Sequence, residues 1–220
     1  QRSNAWFILK HSTFVSKEWS EALRLQGVSN GRLENVTLRG TLAITWSNNI
    51  CFKRGEITDA DGHGILIKRS SNCSIKSTKV LRSKKIGIHV FKSHGVALVG
   101  NVVKNSGDDG IRLSWSNEDG IRENKILHSD DYALHFQSSN DSKISENYFR
   151  GNQACLVFYN SEGNTFTNNT CEEDLRQPED NGIVKFGAVP SIPGYDVLLL
   201  SSCLILITSI AVIKWKKRAT

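Results

Sequence analysis

Methionine is absent from all 220 residues, proline occurs only 3 times, and no CxxC pair links any of the 5 cysteines. Each absence narrows the reading. A chain with no methionine is expected to be a fragment or a processed product, and it offers no thioether to a soft metal. An apolar leader is also absent and could have been removed or omitted. Without paired cysteines a zinc site is not indicated. Cys203 falls in the one long apolar run; Cys51, Cys73, Cys155 and Cys171 are expected to be small buried hydrophobes rather than disulfide partners. Few prolines and 39% hydrophobic residues argue against disorder. The net charge is +6, but Lys214, Lys216, Lys217 and Arg218 follow the last apolar run, which leaves +2 elsewhere. No basic patch with interleaved aromatics stands out, so nucleic acid is not an expected partner.

A helical period is missing too, since no stretch before residue 196 keeps one over ten residues. What is present is a repeat. From residue 41 the chain realigns with itself every 23 residues, and every 22 at the end. One apolar column runs Leu42, Ile65, Ile88, Ile111, Leu134, then Leu156 or Val157. Two residues later comes Ile44, Ile67, Val90, Leu113, Phe136, Phe158. Two more columns read Phe52, Ile75, Leu98, Ile121, Ile144, Phe166 and Ile57, Val80, Val103, Ile126, Phe149, Cys171. Upstream, Leu23, Leu25, Leu33 and Leu38 keep the same spacing at an offset of 19, and Trp6 to Val15 belongs to a further coil of unset register. The first two columns alternate in and out, which is strand periodicity. Units this short cannot bury one apolar face alone, but stacking makes a continuous core. Each inward side chain contributes ~1.5–3 kcal/mol when fully buried.

Asn101, Asn124, Asn147 and Asn169 form another column, expected to be a ladder of side-chain amides at a tight turn. With Gly110-Ile111-Arg112-Leu113 and Asn124-Lys125-Ile126, this pattern over residues 20–174 resembles the right-handed parallel β-helix superfamily. It is most similar to the group of NosD-like and carbohydrate-binding/sugar-hydrolase (CASH) proteins. The expected fold is all-β: a right-handed parallel β-helix of about seven coils, its hand resting on the general crossover preference, followed by one transmembrane helix.

The 197–213 run carries no charge for 17 residues, spans ~26 Å as a helix, and is flanked by Tyr195, Trp215 and the basic cluster. A single-pass cell-membrane anchor with an external β-helix and cytoplasmic C-terminus is therefore expected. Pro190 to Tyr195 makes a hinge. The Pro-Gly-aromatic, apolar helix and basic tail resemble C-terminal anchors of archaeal surface proteins. The expected domains are β-helix 1–182, linker 183–196, transmembrane helix 197–213 and basic tail 214–220.

Stacking turns sequence columns into surface stripes at ~4.8 Å per coil. One outward stripe reads Leu66, His89, Arg112, His135, Val157; beside it run Lys68, Phe91, Ser114, Gln137, Tyr159, with Trp115 one residue further. The preceding turn carries Lys85, Asp108, Asp131, with Asp109 and Asp130 adjacent. Two carboxylates one coil apart could serve as acid and nucleophile in glycoside cleavage, which makes Asp108, Asp109 and Asp131 the candidate catalytic residues. His89, Arg112, Trp115, His135 and Tyr159 are the candidate substrate contacts: guanidinium for a uronate carboxylate, aromatics for a sugar face. The same carboxylates could hold Ca²⁺, although no cofactor is required. Against this stands a plainer reading in which Asp-Gly and Asp-Asp simply favour turns. Gly62-His63-Gly64 and Asp108-Asp109 fall in the wrong order for a polygalacturonase. No Cys/His cluster of metal spacing supports a resident metal, because His63, His89, His94, His128 and His135 lie apart in sequence.

Three functions follow as alternatives. The first is a surface protein that binds polysaccharide and, if it is an enzyme, cleaves it as a lyase or glycoside hydrolase, as the resemblance implies. The second is a structural or adhesive stalk. The third is NosD-like copper handling.

Overall fold

The computed structural model describes residues 7–16 and 21–172, which form 23 strands and no helix. Three parallel sheets wind around one core, with seven strands in one and eight in each of the other two. The chain visits the three sheets in turn, so each complete coil contributes one strand to each. Seven such coils stand on two strands of an earlier one, Phe7–Lys10 and Thr13–Val15. That earlier coil now has a register: Leu9 lies under Leu33 and Phe14 under Leu38.

The apolar columns are the inward rows. Ile65, Ile88 and Ile111 pair in register, as do Ile67, Val90 and Leu113. All six are fully buried. The last coil resolves in favour of Leu156, which pairs with Leu134, while Val157 takes the outward place beside His135. The 19-residue coil keeps the same inward rows, pairing Leu23 with Leu42 and Leu33 with Phe52. Its missing residues come from the turn leading into the seven-stranded sheet. There Gly40 alone joins strands that residues 59–64 join one coil later. The one-residue deletion of the last coil falls in the same turn. Coil walls are thus fixed by packing, and length varies in this one turn.

Buried polar ladders close the corners. Asn101 Nδ2 donates to Asn124 Oδ1 at 2.9 Å and to Ile75 O at 2.9 Å, and Asn124 and Asn147 repeat the pattern down to Asn169. A second ladder was not anticipated. The backbone N–H of Ser47, Ser70, Ser93, Ser116 and Ser139 each donates to the serine hydroxyl of the next coil, ending at Ser161. These side chains satisfy amide groups that would otherwise be stranded inside the coil.

One expectation is corrected. Cys155 and Cys171 form a disulfide, with Cα atoms 6.1 Å apart. Their separation of 16 residues carries no signal in the sequence. They meet because one coil folds its own first and third walls across a core only a side chain or two wide. Cys51 and Cys73 are free, and burial pushes the Cys73 thiol up to about 11. Residues 173–182, the 183–196 linker, the 197–213 anchor and the basic tail lie outside the described residues. Among the described residues no helix is long and apolar enough to cross a membrane.

Candidate functional site

The site lies on the outward face of the seven-stranded sheet, along strands Ile65–Lys68, Ile88–Phe91, Ile111–Ser114, Tyr132–Gln137 and Ala154–Tyr159. The stripe is in register: His89 pairs with Leu66 and Arg112, Arg112 with His135, and His135 with Val157. The turn that enters this sheet is held tight by Gly110. A Cβ there would lie 2.2 Å from Ile126 Cγ2 and 2.9 Å from Ala133 O, so the two residues before it are fixed against the coil.

Those residues are Asp108 and Asp109, and their fates differ. Asp109 is fully buried. Its Oδ2 accepts from Arg112 Nε at 2.5 Å and lies 2.9 Å from His135 Nδ1, while Oδ1 accepts from the Tyr132 N–H at 3.2 Å. Asp108 stays half-buried and accepts from Arg112 Nη2 at 3.2 Å. Asp131 sits one coil on. Burial raises its pKa above the ordinary carboxylate range, and the hydrogen bond to Asp108 and the nearby carboxylates push the same way. One carboxylate oxygen from each of the three lies within 4.8 Å of the others.

This geometry sets what each group can do. Asp109 has no open approach for a sugar carbon, so its chemistry is orientation of the two side chains above it. His135 turns Nδ1 to the Asp109 carboxylate, so Nε2 is the ring nitrogen directed away from Asp109. The His135 ring is flanked by Tyr132, with centroids 5.5 Å apart, and by Tyr159 at 5.7 Å. Tyr159 is 57% exposed. Arg112 spends two of its N–H directions on Asp108 and Asp109.

A second group adjoins the first. His63 and His89 meet edge to face at 4.9 Å, His89 contacts Phe91 at 5.7 Å, and Phe91 contacts Trp115 at 5.5 Å. Burial lowers the His89 pKa to about 3, with His63 and Arg112 adding to the shift, and His63 is lowered mainly by burial. Both imidazoles are therefore neutral at pH 7. The candidate residues thus fall on this face and the turns at its two margins: Asp108, Asp109, Asp131, Arg112, His135 and Tyr159 in one group, His89 and Trp115 in the other. Tyr132 and the His63–His89 pair escaped the sequence reading. Tyr132 was legible in principle, because it continues the column of His63, Ile86 and Asp109 at 23-residue steps.

The fold and this face define a parallel β-helix with a polar and aromatic stripe across one wall. The chain belongs to the NosD family: the family model, described as periplasmic copper-binding protein (NosD), matches residues 10–185. No curated protein matches the chain. Among solved structures it is similar to the periplasmic alginate epimerase AlgG, at 11% identity and TM-score 0.56, covering 68% of this chain and 47% of that one. It is similar also to the A-module of the mannuronan C-5 epimerase AlgE6 of Azotobacter vinelandii, at 14% identity and TM-score 0.56, covering 76% and 58%. The enzymatically active domain of bacteriophage CBA120 tailspike protein 2 aligns at 10% identity and TM-score 0.51, covering 69% and 35%. At these identities the likeness is one of fold, and the chain spans between about a third and three-fifths of each of these structures.

The family description raises copper. Among the described residues the only cluster of three ligating side chains is the Asp108, Asp109, Asp131 trio, a hard oxygen set. His63 and His89 supply two imidazoles, Cys155 and Cys171 are oxidised, and the chain has no methionine. The described residues do not assemble a copper site.

Proposed function

We propose that the chain binds polysaccharide along the outward face of the seven-stranded sheet, with His135 and Tyr159 at the centre of the contact. The observation that carries this reading is the buried Asp109 carboxylate, which fixes the part-buried Arg112 and His135 beside an exposed tyrosine. A polar cluster fixed in advance and flanked by a solvent-exposed ring suits a sugar: the hydroxyls meet oriented donors and acceptors, and the C–H face meets the aromatic. The long axis of the stripe suits a polymer over a monosaccharide. The fold likeness to alginate epimerases supports the same class of ligand. The Cys155–Cys171 disulfide supports placement outside a reducing cytosol, in keeping with an external β-helix anchored by 197–213.

A second reading, favoured by the Asp109–His135 hydrogen bond, adds proton transfer. His135 Nε2 would take a proton from a ring carbon of the bound sugar and Tyr132 or Tyr159 would give one to the departing glycosidic oxygen, so that a C=C bond forms as the C–O bond breaks, with the oriented imidazole as general base. Ca²⁺ bound by Asp108 and Asp131 would assist by neutralising an acidic sugar.

The test is a glycan array and a panel of cell-wall polymers probed with the full 220-residue chain, followed by mass spectrometry of the bound polymer for cleavage. Tyr159→Ala and His135→Ala should lose binding by tenfold or more. Equal binding by wild type and both variants would leave the stalk reading as the better one.

A further inference from the structure

The corner that follows the seven-stranded sheet carries a feature which the Asp109 cluster does not explain. Trp46, Arg69, Lys92 and Trp115 occupy this corner in successive coils, each in the left-handed backbone region with φ of 53°, 50°, 48° and 50°. Successive positions are ~4.8 Å apart along the axis, so the four make a strip roughly 14 Å long. The Arg69 guanidinium lies 4.4 Å over the Trp46 ring. Lys92 Nζ lies 5.4 Å from the Phe91 ring and 5.7 Å from Trp115, and Lys68 Nζ is 5.6 Å from Phe91. Aromatic, cation, cation, aromatic is the order along the strip.

Three observations set this corner apart. First, Trp46 and Trp115 are 56% and 47% exposed, large rings left in water. Second, none of the ion pairs among the described residues uses Lys68, Arg69 or Lys92, whereas Arg39 and Arg82 both pair with Asp59. Third, the backbone does not ask for these side chains. Left-handed geometry costs about 1–2 kcal/mol outside glycine and asparagine; the next such corner, three residues on, carries Asn49, Asn72, Gly95 and Glu118, whereas none of the four residues of this strip is glycine or asparagine.

Resting on the polysaccharide reading above, we propose that this strip is the docking track for an acidic polysaccharide, its chain running parallel to the coil axis. Lys68, Arg69 and Lys92 meet the carboxylates or sulfates of the polymer, and Trp46 and Trp115 stack on sugar rings at the two ends. The acidic trio lies at the opposite margin of the sheet, so the cations free to meet the polymer's charges are those of the strip.

The experiment measures binding of the full chain to polygalacturonate, to neutral dextran and to a single-stranded oligonucleotide, at low and high salt. Arg69→Asn/Lys92→Asn removes both charges with a residue suited to the left-handed backbone, and unchanged circular dichroism checks the fold. The proposal expects wild type to prefer polygalacturonate, with affinity that falls as salt rises. The double variant should lose about tenfold or more of that affinity, as expected for charge-assisted contacts, and most of its salt dependence. Trp46→Ala should weaken polygalacturonate binding in the same assay. Undiminished binding by the double variant, alongside loss in Tyr159→Ala, overturns the track and leaves the polysaccharide reading standing. Oligonucleotide binding stronger than polygalacturonate also overturns it, and absence of binding to any polymer defeats both.

Discussion

Asp109 Oδ2 holds His135 Nδ1 at 2.9 Å across the step from one coil to the next, from a position with no exposure to solvent. The same oxygen accepts from Arg112 Nε. One buried carboxylate therefore sets the orientation of two part-buried groups on two coils, and stacking register becomes site geometry.

Replacing that carboxylate should be costly. Asp109→Asn leaves Arg112 with the half-buried Asp108 as its one remaining counter-charge and turns an amide N–H₂ toward groups that already donate. Breaking one side of a buried ion pair typically costs about 3–5 kcal/mol, readable in urea unfolding. Asp108→Asn, at a half-exposed position, should change stability by no more than about 1 kcal/mol.

Asp119 offers a substitution in the opposite direction. It sits in a buried ladder, accepting from Val96 N–H at 2.8 Å and donating its own N–H to Ser142 Oγ, while Oδ2 is buried without a partner. Burial raises its pKa to about 7. The folded state keeps a proton that the unfolded chain releases, so stability falls as pH rises from the ordinary carboxylate range to about 7 and then levels off. Asn164, two coils on in the same ladder, donates its amide to Ser139 O. Asp119→Asn can make the equivalent bond, and should gain about 1–4 kcal/mol at pH 8 with little change at pH 4. Denaturant melts at the two pH values decide it.

His89 works with the reverse sign. Its pKa is lowered to about 3 by burial first, so below pH 6.5 the unfolded chain takes up a proton that the folded chain refuses. Stability is lost as pH falls from 6.5 toward 3. His89→Leu, matching Leu66 one coil earlier in the same column, should remove up to about 3 kcal/mol of the acid loss by pH 4. Melting midpoints across that range, compared with wild type, provide the check.

The disulfide should act locally. Cys155→Ser opens a loop of 16 residues and should lower stability by about 2–4 kcal/mol. Faster amide hydrogen exchange should appear in 154–172, with the central coils unchanged.

The sequence made the walls of this molecule readable and left its corners obscure. Inward rows such as Ile67, Val90 and Leu113 repeat at a fixed period because each must cover the one below, and such a constraint leaves a trace in any window. The stripe of His89, Arg112 and His135 followed from the same register. Turn side chains obey no period of two, so nothing in the Asp108-Asp109 pair marked the second as buried and the first as open. The two carboxylates are told apart only by the coordinates, which bury Asp109 against Arg112 and His135 and leave Asp108 half-buried. The serine ladder hid for another reason: Ser47 to Ser161 looks like ordinary corner polarity until the hydroxyls are seen to accept backbone N–H groups. Cys155 and Cys171 lie on different walls of one coil, and wall-to-wall contacts have no counterpart in a self-comparison.

The central claim is that one wall of the helix is a polysaccharide-binding face. Hydroxyl-radical footprinting with mass spectrometry, on the full chain saturated with its tightest-binding polymer, tests it most directly. Protection should fall on His135, Tyr159 and Trp115 and spare Tyr148, an aromatic on a different sheet. Equal protection of Tyr148, or none at Tyr159 under saturating polymer, would contradict the account.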